Sequence, residues 1–242
     1  MRSNPMIRKG FSDSQAYDGP AMTISGTRNK TFILVGITIL LSIGSFLLSS
    51  SGSTSSIAYG LTTISSIGAL ILALITTFKP HLAKTTSILY AVCEGILLGS
   101  ISAIFNTYFE GIAIKTVFLT LLSVVLTLAI YKHDPSIGGK VRKGVIIATL
   151  SVCGVSLLGL VFSLFGIPFI FWGNSLIGIG FSLLVVGVAI ANLIVDYDNI
   201  AMGADYGLPE HMEWYFAFGL LVTIVWLYIE LLQLLAKVAS RD

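Results

Sequence analysis

Four carboxylates stand inside otherwise apolar runs: Glu94 in ILYAVCEGILLG, Asp196 and Asp198 in ANLIVDYDNI, and Glu230 in TIVWLYIELLQLL. A charge at the centre of a membrane helix costs about 3 kcal/mol or more, so each acid needs a partner or a function. The neighbouring cations are poorly placed to serve. Lys115 lies near the end of its run and can snorkel to the surface. Lys237 follows Glu230 by two turns on the same helix face and reaches back only partly. The deep charges are therefore acids without a cation at equal depth. Two carboxylates in one site resist ionising together, and one keeps its proton. A pair held by a shared proton opens when both ionise or when a cation enters, which is the chemistry of a proton or cation sensor.

Plainer roles compete with this one. Asp196 and Asp198 near a helix end can simply be solvated, Glu94 can bond a backbone or hydroxyl group, and Glu230 can make a structural polar contact. Helical geometry turns Asp198 about 200° away from Asp196, so the two do not face one site. Asn192 sits one turn before Asp196 on the same face and adds an oxygen there.

The elements that carry these residues follow from composition. Of the 242 residues, 55% are hydrophobic and 11% charged, and the mean hydropathy is +0.92. Soluble domains carry about 25% charged residues, so this is an integral membrane protein. The net charge of +2 suggests no nucleic-acid partner. Apolar runs near 31–49, 57–78, 86–108, 112–131, 144–166, 174–197 and 214–236 are each long enough to cross about 30 Å of hydrocarbon as a helix. They are continuous rather than alternating, which excludes a barrel. The expectation is an all-α, polytopic protein of seven transmembrane helices. Residues 1–30 form a flexible cytoplasmic tail, 31–236 the helical domain and 237–242 a short C-terminal tail.

Orientation follows from Lys and Arg. Eleven lie in the N-terminal tail and in the second and fourth links, against Lys115, Lys237 and Arg241 on the other side. The N-terminus is thus cytoplasmic and the C-terminus outside. The longest link, about 199–213, contains YGLPEHMEWY, which either caps the cytoplasmic mouth or is an ordinary turn at Pro209. Depth limits which acids can meet. Glu94 is about 12 Å into the third span, near Asp196 in level, whereas Glu230 is about 24 Å beyond Trp214. The seventh helix must start inside the cytoplasm, or tilt, to bring Glu230 to Asp196.

Other features are structural. Gly95 and Gly99 make a small-xxx-small pattern for close helix packing. Cys93 and Cys153 read as small core residues. Every His lies in a link, no HExxH occurs and no intramembrane Ser has a His partner, so an enzyme is not expected and no cofactor is implied. The seventh span lacks a central Lys, which disfavours a retinal protein.

The segments YAVCEGILLGSIS (90–102), VDYDNI (195–200) and EWYFAFGLLVTIVWLYIELLQLL (213–235) resemble the Bax inhibitor-1 family, in its bacterial YccA-like branch. The resemblance covers nearly all of residues 31–236. It implies seven helices with a central seventh helix, in a bacterial plasma membrane. It also implies a pH-sensitive calcium leak, with calcium as the permeant ion, gated by a proton-sharing pair of acids. Those acids fall on Asp196, or on Asp198 in the alternative register, and on Glu230, which would hold calcium transiently. Gln233 stands where this branch often has Arg, and 34 residues separate Asp196 from Glu230. The competing function is a non-conducting regulator that binds a membrane protease or another membrane partner. A proton-coupled transporter is a third reading, without an internal repeat to support it.

Overall fold

A computed structural model describes residues 19–50 and 55–241, with backbone alone at 55–59. Among the described residues seven α-helices follow one another: α1 Ile24–Ser50, α2 Ser55–Phe78, α3 Ala83–Tyr108, α4 Ile112–His133, α5 Ser136–Leu164, α6 Leu176–Asp205 and α7 Met212–Ala239. A single 3-10 turn, Pro80–Leu82, leads into α3. All seven helices are long and apolar enough to cross a membrane. The protein is an all-α, multi-pass membrane protein.

Helices form because lipid offers backbone groups no partner, and a helix pairs them internally. The hydroxyls follow the same rule. Thr31, Thr38, Thr76, Thr116 and Thr120 each donate to the carbonyl four residues back, at 2.8–3.0 Å. Each thus has a partner on its own helix, and Thr76 also lies 2.7 Å from the Thr86 hydroxyl of α3. The apolar surface faces outward instead, with residues such as Leu40, Ile64, Leu150 and Leu183 exposed. Cys153 is likewise exposed and Cys93 half-buried, so neither is the core residue expected. In lipid an outward-facing apolar side chain costs nothing, which removes the usual reason to bury it.

Three helices extend well beyond the expected bounds, by seven or eight residues at one end. α1 starts at Ile24, inside the stretch read as a tail, because the Thr23 hydroxyl accepts from the Gly26 N–H at 2.9 Å and caps the helix. Residues 1–18 of that tail lie outside the described residues. α5 starts at Ser136, taking in the polar GGKVRK stretch read as a link. α6 continues to Asp205, so Asp196 and Asp198 lie within the helix rather than at its end, and the sixth link shrinks to 206–211. The stop is a Schellman motif: Gly207 N–H bonds Ala204 O at 3.0 Å and Leu208 N–H bonds Gly203 O at 3.1 Å. Gly207 has φ +63°, a conformation that an L side chain resists, and Pro209 prevents resumption. α5 ends on the same device. Gly166, at φ +70°, bonds Ser163 O, Ile167 bonds Phe162 O, and Pro168 follows.

The chain divides into two compact units. One comprises residues up to Ala103 with Asp196–Val222, and the other Ile104–Val195 with Thr223–Asp242. In the first unit α1 and α3 pack through small residues. A Cβ on Gly95 would lie 2.7 Å from Thr38 O, and one on Gly99 would overlap Ser42 O. Across that close approach Thr38 Oγ1 reaches Ala91 O at 3.3 Å, and Ser45 Oγ lies 2.7 Å from Ser100 Oγ. The small-xxx-small pattern thus performs the expected packing.

Candidate functional site

The intramembrane acids are carried by the three most buried helices. About half of the most apolar stretch of α3 and of α7 is buried, and 39% of that of α6, against 17–22% for the other four. The helices with the most buried stretches therefore hold the charges.

In the first unit, Glu94 on α3 is 6% exposed. The Tyr90 hydroxyl, one turn earlier, hydrogen-bonds its carboxyl group. Its Oε2 atom is buried with no hydrogen-bond partner among the described residues. The Tyr90 ring meets Phe218 edge-on, with centroids 5.0 Å apart. Phe218 in turn lines a cavity of about 330 Å³ beside Asp196. Thr77, Asn199, Tyr215 and Phe216 also line it, and Asp196 is the one charged residue among the lining side chains. Asn199, three residues after Asp196, shares its helix face. Asp198 is not part of the lining, as its rotation about α6 requires.

At one edge of this unit the turn 206–211 meets the segment before α1. Met22 N–H bonds Leu208 O at 2.7 Å, Glu210 N–H bonds Pro20 O at 3.0 Å, and Ala21 and Pro209 pair as an antiparallel bridge. Glu213, at the start of α7, is 4% exposed. Its carboxylate accepts from Thr23 N–H at 2.7 Å, Thr23 Oγ1 at 3.0 Å and Lys30 Nζ at 2.5 Å. Lys30 also lies 3.5 Å from Glu210 and 5.6 Å from the centre of the Trp214 ring. A Cβ on Gly26 would overlap the Glu213 carboxylate, so glycine is needed there for space.

In the second unit, Glu230 on α7 is half-buried and accepts from Trp226 Nε1 at 3.1 Å. Lys237 does not serve it as a hydrogen-bonded partner. Its ammonium donates to Phe171 O at 3.1 Å, Gly178 O at 3.4 Å and Ser182 Oγ at 2.8 Å. Asn192 donates to Thr149 Oγ1 at 2.7 Å and to Val188 O at 2.9 Å, so its amide protons are committed to α5 and to its own helix. Asp196 belongs to the first unit and Glu230 to the second.

Two of the acids have an aromatic donor one turn earlier that composition does not point to: Tyr90 precedes Glu94 by four residues and Trp226 precedes Glu230 by four, whereas Asn192, expected beside Asp196, commits its amide protons elsewhere. A donor-bearing side chain one turn before an acid is a readable signal, because residues four apart share a helix face. The buried Glu213–Lys30 pair, 183 residues apart in sequence, leaves no comparable local trace.

A family model described as Bax inhibitor 1 like matches residues 4–240. No curated protein and no solved structure matches the chain. The matched range spans all seven helices and every acid described above, and the chain belongs to the Bax inhibitor 1 like family.

Proposed function

We propose that the protein is a pH-sensitive cation leak channel that passes calcium, with Asp196 and Glu230 as its titrating acids. The observation that carries this reading is Asp196, the one charged lining residue of a cavity of about 330 Å³ between otherwise apolar and aromatic walls. A carboxylate there attracts a cation when ionised and repels none when protonated, which couples passage to pH. Calcium takes about six to eight oxygen ligands. Asp196, Asn199, Thr77 and Tyr215 offer fewer, so the ion keeps much of its water and the site favours transit over storage. Glu94, its free carboxyl oxygen buried one aromatic contact away, is a second acid on this route. The membrane is a bacterial plasma membrane, with the N-terminus in the cytoplasm and the C-terminus outside. The reading is of a channel without cofactor, not of an enzyme.

The test is calcium entry into dye-loaded proteoliposomes at pH 6 and pH 8, for wild type, Asp196→Asn and Glu230→Gln. Flux should depend on pH in wild type and lose that dependence in both variants. Flux no greater than in empty liposomes in every sample would overturn the channel reading.

A second reading, a regulator that binds a membrane protease or another membrane partner, has one observation in its favour. The segment 20–23 is bonded to the turn before α7, which gives the preceding tail a direct attachment to the helical domain. Such a regulator would tolerate neutralisation of Glu230 and fail when the tail is removed.

A further inference from the structure

The cavity beside Asp196 is bounded in part by Leu208 and Met212, which belong to the turn between α6 and α7 and to the first residue of α7. Behind these residues lies the segment 20–23. Met22 is 2% exposed and packs in one cluster with Leu208, Met212, Tyr215 and Ala83. Three of those partners, Leu208, Met212 and Tyr215, also line the cavity. Residues that cluster with Met22 thus also form part of the cavity wall.

This segment, residues 20–23, forms a strap held by few bonds, at Pro20, Met22 and Thr23. Two main-chain hydrogen bonds tie it to the turn, and the carboxylate of Glu213 gathers Thr23 and Lys30. Removing Lys30 alone would leave Glu213 buried without its cation, and the same carboxylate holds Thr23, the last residue of the strap, so the pair keeps that anchor in place. The turn itself is only six residues long, with Gly207 and Pro209 setting its shape, and it cannot shift without breaking these ties. A short, peripheral segment whose few bonds brace the wall of a cavity is built to be released as a unit.

We infer that residues 20–23, locked by Lys30 and Glu213, form a latch that holds the α6–α7 turn closed against the cavity at Asp196. The inference rests on the proposed leak only for its consequence on flux; its effect on access to the cavity stands apart. Released, the turn gives up its backing and the cavity becomes more open to solvent. Any agent that draws the N-terminal segment away would then raise passage past Asp196.

The test separates access from conduction. Gly219 lines the cavity, and a Cβ placed there meets nothing within 4 Å, so Gly219→Cys is a suitable reporter. It is introduced with Cys93→Ala and Cys153→Ala into the full chain in detergent, and its rate of reaction with a charged maleimide is measured. Lys30→Met with Glu213→Gln removes the ion pair without leaving a lone buried charge, and should raise that rate at least about five-fold. Lys30→Arg keeps the charge and should leave the rate near that of the parent. Met22→Ser, which weakens the apolar side of the latch, is the second variant should the first not fold. An unchanged rate in a folded latch variant would overturn the inference. Ala21→Cys with Pro209→Cys, in the chain lacking the two native cysteines, joins residues that face each other across the bridge. Such pairs lie about 4.5–5.5 Å apart at Cα, within the range of a disulfide. Oxidation should lower calcium flux in proteoliposomes and reductant should restore it. Faster labelling with no flux in any sample would retain the latch and sink the leak; flux unaffected by the crosslink, with labelling unchanged, would retain the leak and sink the latch.

Discussion

Trp226 donates its indole N–H to Glu230 across one turn of α7, at 3.1 Å. The bond is made entirely within one helix. It gives Glu230 a fixed donor where Lys237, engaged with Phe171, Gly178 and Ser182, does not. Hydrogen bonds to charged groups contribute about 1.5–3 kcal/mol, and neutral ones about 1. A double-mutant cycle of Trp226→Phe and Glu230→Gln, read by unfolding in detergent, should give a coupling of about 1 kcal/mol. A coupling near zero would mean that the bond contributes nothing.

Gly99 faces the backbone of Ser42 with no room for a Cβ. Gly99→Val should therefore force α1 and α3 apart and destabilise the protein by about 1–3 kcal/mol. Gly187→Val, where a Cβ meets open space, serves as the comparison. Thermal unfolding of the two variants should separate them clearly, with Gly99→Val the less stable.

Gly207 adopts φ +63° in the stop of α6. Gly207→Ala places a Cβ in the left-handed region and should cost about 1–2 kcal/mol. Gly166→Ala, at φ +70° in the stop of α5, should cost a similar amount. The melting temperature of each variant checks this, and an increase in either would contradict it.

Asp134, in the link before α5, accepts from the Ser136 hydroxyl at 2.5 Å and from its N–H at 3.0 Å, with Lys140 at 3.4 Å. The Ser136 hydroxyl bond, aided by Lys140, holds this carboxyl below its usual range. A group depressed on folding adds stability above its unfolded value of about 3.9, and loses it as pH falls through the lower folded value. A carboxyl titration by NMR should thus find the Asp134 midpoint below about 3.9, and Ser136→Ala should move it upward.

The seven spans were legible because lipid demands long apolar helices and little else produces such runs. Their ends were less so. Polar stretches such as NIAMGAD look like a link by composition, yet nothing in them forbids a helix until Gly207. The stop is present in the sequence as Gly207-Leu208-Pro209, and again as Gly166-Ile167-Pro168, but a glycine shortly before a proline reads equally as an ordinary turn. The start of α1 at Ile24 depended on Thr23, whose second role on Glu213 is a contact across 190 residues. The acids announced themselves by cost. Their donors Tyr90 and Trp226 were hidden only because aromatic residues in a membrane helix have an ordinary explanation. The cavity wall at Asp196 needed the meeting of α2, α6 and α7 segments that no local pattern encodes.

The paired Gly-x-Pro stops also bear on how the protein fits different bilayers. At 29 and 30 residues, α5 and α6 are about 45 Å long, well beyond a hydrocarbon core of about 30 Å. Because their C-terminal ends are fixed by covalent punctuation, these helices cannot shorten by fraying there when the surrounding lipid is thin. They must lean instead, or let their polar ends stand clear of the surface. Acyl-chain length thereby becomes a variable that sets helix inclination, and membranes of differing thickness would hold the same sequence in differently splayed arrangements.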